Sequence, residues 1–279
     1  MLLQRGNVAF AVIRRSTLHR WAVISARPQS FRPPHRSRGT SARAQQTAVR
    51  APPPGLQTIP WNGTSEEEQA LQQLRARMAN SEAGEPDVAT QQWFLRDRKL
   101  DVEEAAEKLT RMMEWRRDFM PVPLTEADVA AEAATGKAFL HSHTDVNGRP
   151  VIVVRAARHI TGERPLEESK KLCAYLLEKG ITQMPEGCET LLGIFDLRGF
   201  GHRNADFGFV RFLVDVFFLY YPKRLGQVLM LDAPWGFQPG WEVVKPWLKK
   251  YAALVRFVSR EELRKEFFTP ETCPEEFLK

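Results

Sequence analysis

Apolar positions recur at a spacing of three or four over the first stretch of the chain that contains acidic residues. Leu71, Leu74 and Met78 follow Thr64 or Ser65 and three consecutive glutamates, Glu66, Glu67 and Glu68. That pattern predicts a capped helix whose first turn favours negative charge. A break at Gly84–Pro86 separates it from Asp87, which leads into Val88, Trp93, Phe94 and Leu95. Asp101 starts another helix, with Val102, Ala105, Ala106, Leu109, Met112, Met113 and Trp115 along one stripe, and Pro121 and Pro123 end it. Residues 66–120 therefore read as a small helical unit.

The texture changes after residue 145. Asn147-Gly148 signals a tight turn, and Pro150 to Val154 is a short apolar strand. Residues 166–184 read as a helix, Leu191 to Phe195 as a strand ending at Asp196, and Asn204 to Tyr221 as a long helix apolar on every face. A strand over Gln227 to Leu231, an amphipathic helix over 240–251 and a strand over Ala253 to Val258 come next, and Ser259 caps a short helix. Strands alternating with helices imply an α/β layer around a largely parallel sheet.

Charge divides the chain more sharply than composition does. Its 279 residues are 43% hydrophobic and 27% charged, ordinary for a globular protein, with a net charge of +6. Residues 1–50 hold ten arginines and no Asp, Glu or Lys, so the remainder carries 30 basic and 34 acidic residues. The basic character belongs to the leader, which leaves a nucleic-acid partner without the basic face it needs on the folded part. Leu2, Leu3, Val8, Val12 and Ile13 among Arg5, Arg14 and Arg15 make the first half of the leader an amphipathic helix of the organelle transit type. Plastid and mitochondrial leaders share this composition. Residues 51–65, with Pro52, Pro53, Pro54, Gly55, Pro60 and Gly63, read as an extended linker.

No catalytic constellation emerges. The chain has no G-x-x-x-x-G-K-[ST] loop and no G-x-S-x-G elbow. His141 and His143 form an H-x-H pair without an evident third ligand, so an exposed loop pair is the better reading. Asp145-Val-Asn147-Gly148 opens like a calcium loop but lacks the closing Glu, which favours a hairpin turn. Gly199-Phe-Gly201 lacks the third glycine of a dinucleotide site. Cys173, Cys188 and Cys273 are too few and scattered for a disulfide framework or a structural zinc site, and fit a reducing compartment. No metal or catalytic cofactor is expected.

Apolar surface in excess is the positive signal. The helix 204–221 carries Phe207, Phe209, Val210, Phe212, Leu213, Val214, Val216, Phe217, Phe218 and Leu219; Arg211 and Asp215 interrupt it, and no apolar run reaches the roughly 18 residues of a membrane span. Segment 237–251 sets Phe237, Trp241, Val244, Trp247, Leu248 and Tyr251 opposite Lys245, Lys249 and Lys250. That arrangement suits a helix lying in a membrane interface, and equally a plain amphipathic surface helix.

Several ordered segments resemble the Sec14-like, or CRAL-TRIO, family. Gln92-Trp-Phe-Leu-Arg-Asp-Arg-Lys-Leu-Asp101 with Glu114-Trp-Arg-Arg117 is similar to its helical N-terminal unit, and Asp145-Val-Asn-Gly-Arg-Pro-Val151 to its first hairpin. Tyr220-Tyr-Pro-Lys-Arg-Leu-Gly226, Asp232-Ala-Pro-Trp-Gly-Phe237, Lys245-Pro-Trp-Leu248 and Phe257-Val258 resemble the signature run of its lipid-binding domain. The leader and the closing Arg264 to Pro274 look most like plastid Sec14-like proteins of plants and algae. The resemblance implies an α/β fold in which a small all-helical unit (66–120) precedes a lipid-binding domain (121–279) with a sheet floor, helical walls and a gate helix.

It also implies a non-enzymatic monomer that binds a hydrophobic ligand, docks transiently on an anionic membrane and exchanges the ligand there, supporting plastid membranes. A lipid-sensing interaction module is the alternative. Ile152, Leu191, Gly193, Phe209, Phe212 and Phe217 are expected in the lipid cavity, and Phe237, Trp241, Val244, Lys245, Trp247, Lys249 and Lys250 on the gate. The chain departs from the family pattern at the head-group positions. Phosphatidylinositol-handling members carry a glutamate where Lys223 stands, and a lysine where Leu254 or Val255 stands. Phosphatidylcholine-handling members have Ser, Thr and Tyr where Leu191, Gly193 and Ile152 stand. Two ligands fit: phosphatidic acid or another anionic phospholipid, held by Arg96, Arg98, Lys223 and Arg224, or a carotenoid or other terpenoid.

Overall fold

Side chains fix the helix starts. Thr64 accepts the Glu67 N–H, and the Glu67 carboxylate accepts the Thr64 N–H in return, which opens helix α1 (Ser65–Met78) with a capping box. Asp87 caps α2 (Val88–Asp97) by accepting the Thr90 N–H, and Asp101 caps α3 (Val102–Phe119) by accepting the Glu104 N–H. The computed structural model describes residue 56, residues 58–79, residue 84 and residues 86–278. The expected leader, 1–50, lies outside them. Leu71, Leu74, Phe94, Leu95, Ala105 and Leu109 close a core between α1, α2 and α3.

Two elements escape the periodicity reading: α4 (Glu126–Ala133) and the edge strand β1 (Ala138–Leu140). Eight and three residues are too short for a helical stripe or an alternation to register. β1 pairs antiparallel with β2 (Val151–Arg155). After α5 (Leu166–Thr182) the sheet continues in parallel through β3 (Leu191–Asp196), β4 (Leu225–Leu231) and β5 (Val255–Val258), in the order β1-β2-β3-β4-β5.

That order determines the layers. Each parallel strand lies one place further along the sheet, so crossovers of the usual right hand put every connecting helix on the same face. Those helices are α5, α6 (Phe207–Asp215) and α7 (Gln238–Leu248). The opposite face, Val151, Val153, Leu192, Ile194, Leu229, Leu231 and Val258, is left for the chain beyond β5 to cover. Helix α8 (Arg260–Phe267) and residues 268–277 do so with Leu263, Phe267, Phe268, Cys273 and Phe277. This is the driest core of the molecule: Val151, Val153, Leu192, Ile194, Leu229 and Leu231 have no exposure at all.

The long helix expected over 204–221 is two structures. Regular α6 stops at Asp215, and a π-helical turn, Val216–Tyr220, succeeds it, closed by the Tyr221 N–H donating to the Val216 carbonyl at 2.7 Å. The wider turn sends its aromatics to separate neighbours. Phe217 joins Phe212, Phe218 meets Tyr251 at 4.3 Å, and Tyr220 stacks on Trp115 at 4.2 Å. The helix expected over 240–251 is likewise shorter. Pro246 donates no backbone N–H, α7 ends two residues later, and a 3₁₀ turn (Lys249–Leu254) delays the last strand to Val255.

Helix α5 approaches β3 closely because Gly180 has no side chain. A Cβ there would sit 2.8 Å from Leu191 Cδ2 and 3.5 Å from Leu140 Cδ1. Gly180→Ala is therefore expected to destabilise the fold by about 1–3 kcal/mol through overpacking, despite alanine's better helix propensity. Chemical denaturation measures this, and an unchanged or higher midpoint would show that the contact is slack.

Candidate functional site: an incompletely closed apolar layer under helix α7

Strand alternation sorts the sheet residues onto two faces. Ile152, Gly193, Val228 and Val255 lie side by side in register on the helix-covered face, and Val154, Phe195, Met230 and Phe257 form the next row. Every one is apolar. In contrast to the other face, this one is incompletely closed. Ile152, Val154, Phe195, Met230 and Val255 are half-buried, and Phe257 is 40% exposed.

Facing helices show the same incomplete closure. Phe209 and Phe217 of the α6 segment and Cys173 of α5 pack in one cluster with Ile152, yet each stays half-buried. Two apolar layers in full contact bury one another, so residual exposure on both sides shows that these two do not close completely. Burial nevertheless pushes the Cys173 thiol up to about 12.

Helix α7 closes the β5 side of this space. Trp241 is buried edge-on against Phe257 with ring centroids 5.5 Å apart, and Phe237 meets Phe257 at 6.2 Å. Trp247 reaches across to Phe207, at the start of α6, at 6.0 Å. Val244 is half-buried, while Lys245, Lys249 and Lys250 are exposed. The segment has non-glycine residues in the left-handed region at both ends, Asp232 (φ 46°) and Lys249 (φ 46°). Trp235, in the 3₁₀ turn before α7, is 92% exposed.

Three of the expected cavity residues are buried. Leu191 shares the helix-covered face with Gly193, two residues on, and is fully buried there against Gly180 of α5. Phe212 is closed in by Phe119 and Phe209 at 6.0 and 6.1 Å. Gly193 is on the floor but buried, with Leu225 and Phe195 around it.

The basic head-group candidates are each engaged within the protein. Arg96 forks onto Glu189 at 2.6 and 2.9 Å and also donates to the Ile59 carbonyl. Arg224 stacks on the Trp93 ring at 3.4 Å and donates to the Glu189 carbonyl at 3.3 Å. Burial pulls its guanidinium down to about 10. Arg98 pairs with Asp97 at 3.0 Å and Glu104 at 3.4 Å. Lys223 is buried, 3.8 Å from Asp97 Oδ1, and that burial lowers its pKa. Arg96, Lys223 and Arg224 tie the helical unit to the chain beside β3 and β4, while Arg98 pairs within the helical unit.

Sequence reasoning missed two features. One is Trp235, which sits outside any periodic stripe and carries no signal beyond the family motif around it. The other is the buried cluster of Asp97 and Lys108, 2.6 Å apart, where burial pulls the Lys108 ammonium down to about 8. The remaining floor residues were within reach, since alternation puts Val228 and Met230 on one face of the strand read over Gln227 to Leu231. Among the described residues no three His, Cys, Asp or Glu side chains gather to hold a metal ion, and no helix is long and apolar enough to cross a membrane. His141 instead pairs with the Thr272 carbonyl at 2.8 Å.

An apolar sheet face is thus left partly exposed beneath aromatic side chains of α7. Comparison with known proteins gives the family. The CRAL/TRIO domain matches residues 133–277, and the chain belongs to the CRAL-TRIO, or Sec14-like, family of lipid-binding and transfer proteins. Its relatives include a CRAL-TRIO domain-containing protein of Schizosaccharomyces pombe, 29% identical over 197 residues (63% of this chain and 44% of the relative). The phosphatidylinositol transfer protein CSR1 of Eremothecium gossypii is 30% identical over 194 residues (65% and 44%). A SEC14 cytosolic factor of the same organism is 29% identical over 231 residues (76% and 74%). The chain thus spans less than half the length of the first two. The crystal structure of Sfh5 superposes with a TM-score of 0.56 at 14% identity, over 75% of this chain and 85% of that one, a likeness of fold. These relatives are fungal; the expected plastid resemblance finds no counterpart among them.

Proposed function

We propose that the chain holds one hydrophobic ligand between the sheet and α5–α7 and carries it from one membrane to another. The observation behind this reading is the open apolar layer, with residual exposure on the floor and on the helices facing it. A lipid tail crossing water loses about 0.8 kcal/mol for each exposed CH₂, so transfer needs a dry enclosure. The gate provides the exit. In this reading Trp235 enters the membrane interface while Lys245, Lys249 and Lys250 meet anionic head groups. Loading then requires α7 to swing away from Phe257, with Asp232 and Lys249 absorbing the backbone change.

For the leader we propose import into an organelle, plastid or mitochondrion, from its ten arginines and lack of acids. Green-fluorescent-protein fusions of residues 1–50 test the destination, and a diffuse cytosolic signal would end that proposal.

The function is tested by mixing the whole chain with donor vesicles carrying a fluorescent lipid and unlabelled acceptors. Movement proportional to protein concentration is expected. Stable ligand retention without exchange would turn the reading toward a lipid sensor.

A further inference from the structure

We infer that the ligand is an uncharged lipid without a phosphate, and that phospholipids are poor occupants of this site. The inference rests on the proposed transfer function and narrows it. It starts from the floor, where the two rows, Ile152, Gly193, Val228, Val255 and Val154, Phe195, Met230, Phe257, contain hydrocarbon and one thioether. Above them are Phe209, Phe217 and the gate's Trp241, which is seated on Phe257. Cys173 adds a thiol that stays neutral, because burial pushes it up to about 12.

A phosphate needs Arg or Lys donors, and a buried one needs them unpaired or shared with few carboxylates. Basic side chains of the surrounding elements pair within the protein, while Lys245, Lys249 and Lys250 of the α7 segment are exposed to solvent. Arg116 holds Glu178 at 2.6 Å, and Glu178 also accepts the Tyr221 hydroxyl. Arg96 is engaged by Glu189, and Arg224 stacks on Trp93 beside it. Lys170 is 2.6 Å from Glu167, and Lys137 is 2.7 Å from Glu132. At the start of α6, His159 Nε2 lies 3.1 Å from Asp206 Oδ2, while Asp206 Oδ1 accepts the Phe209 N–H. A phosphate drawn inside would either sit without a counter-charge or take a cation from its carboxylate partner, which in the case of Glu132 is fully buried. Both outcomes are penalised by desolvation. An uncharged lipid disturbs none of these pairs.

The test uses the full chain, stripped of lipid and incubated with phosphatidylcholine vesicles. These contain phosphatidylinositol, phosphatidic acid, diacylglycerol, a sterol and α-tocopherol. The re-isolated protein is extracted and its lipids are counted by mass spectrometry. One of the three uncharged lipids should be enriched about tenfold or more over every phospholipid, the discrimination expected for leaving one buried polar group unpaired. A stoichiometric phospholipid would overturn the inference and leave the transfer reading intact. Protein that retains none of these lipids would overturn both. A second variant places a cation on the floor. Met230→Lys should gain phosphatidic acid in the same extraction, and continued refusal of phosphatidic acid by the folded variant would show that floor polarity does not set the choice. Should that variant fail to fold, the wild-type extraction decides alone.

Discussion

Changing Lys245, Lys249 and Lys250 together to glutamate is expected to weaken binding to anionic vesicles by about two orders of magnitude or more, at roughly 1 kcal/mol per lysine removed near the surface. The three side chains are exposed beside the gate. The fold should tolerate the change. Lys250 lies close enough to the buried Lys108 and Lys223 to lower both their pKa values, so a glutamate there relieves repulsion. Co-sedimentation at low and high salt measures the effect. The loss should shrink as salt screens the wild-type attraction. Trp235→Ala should instead cost about tenfold at either salt concentration, because its contribution is burial of an indole that is 92% exposed in the free protein. Equal salt dependence for both variants would mean that Trp235 does not insert. Undiminished binding by the triple variant would move docking to another face.

Asp97→Ala should destabilise the protein by about 3–5 kcal/mol, the usual result of removing one partner from a buried ion pair. Asp97 is buried with Lys108 Nζ 2.6 Å from one oxygen and Lys223 Nζ 3.8 Å from the other. The pH dependence makes the test specific. Burial depresses the Lys108 ammonium from 10.5 to about 8 even with Asp97 present. Below about pH 8 both folded and unfolded chains hold this proton, and the buried charge counts against folding. Between about 8 and 10.5 the unfolded chain still binds the proton while the folded chain has released it, so wild-type stability gains a rising contribution with pH. Without Asp97 the folded value falls further, and this rise should begin below pH 8. Urea unfolding across this range, compared with Lys108→Met, isolates the contribution. A flat difference between wild type and Lys108→Met from pH 7 to 10.5 would show that Lys108 is not desolvated.

Long, regular patterns made most of the layer order legible in the sequence. The stripe from Val102 to Trp115 and the apolar strands at 151, 191 and 227 need only local periodicity, and they imply an α/β sheet. Short pieces were silent, as α4 and β1 show. Local periodicity also cannot register a change in helical pitch, and the π-helical turn at Val216–Tyr220 reflects where Trp115, Phe212 and Tyr251 wait in three dimensions. The site was half-visible for a related reason. A strand position reveals its face by alternation but not what closes over it: Ile152, Leu191 and Gly193 share the helix-covered face, and α5 seals Leu191. Charge was the least legible quantity. Arg96 and Arg224 look alike as potential donors until Glu189, 93 and 35 residues away along the chain, occupies them.

The sheet's one-directional strand order also governs how the molecule comes into being. Because every crossover helix lies on the same side, the back of the sheet stays bare throughout synthesis of β2, β3, β4 and β5. Leu192, Ile194 and Leu229 gain their cover only when residues 260–277 have left the ribosome, or the translocation pore if the leader directs import. Until then a fully apolar surface is exposed to whatever binds nascent chains, and folding cannot close segment by segment from the N-terminal end. The closing segment, residues 260–277, is therefore the piece whose arrival completes the back of the sheet.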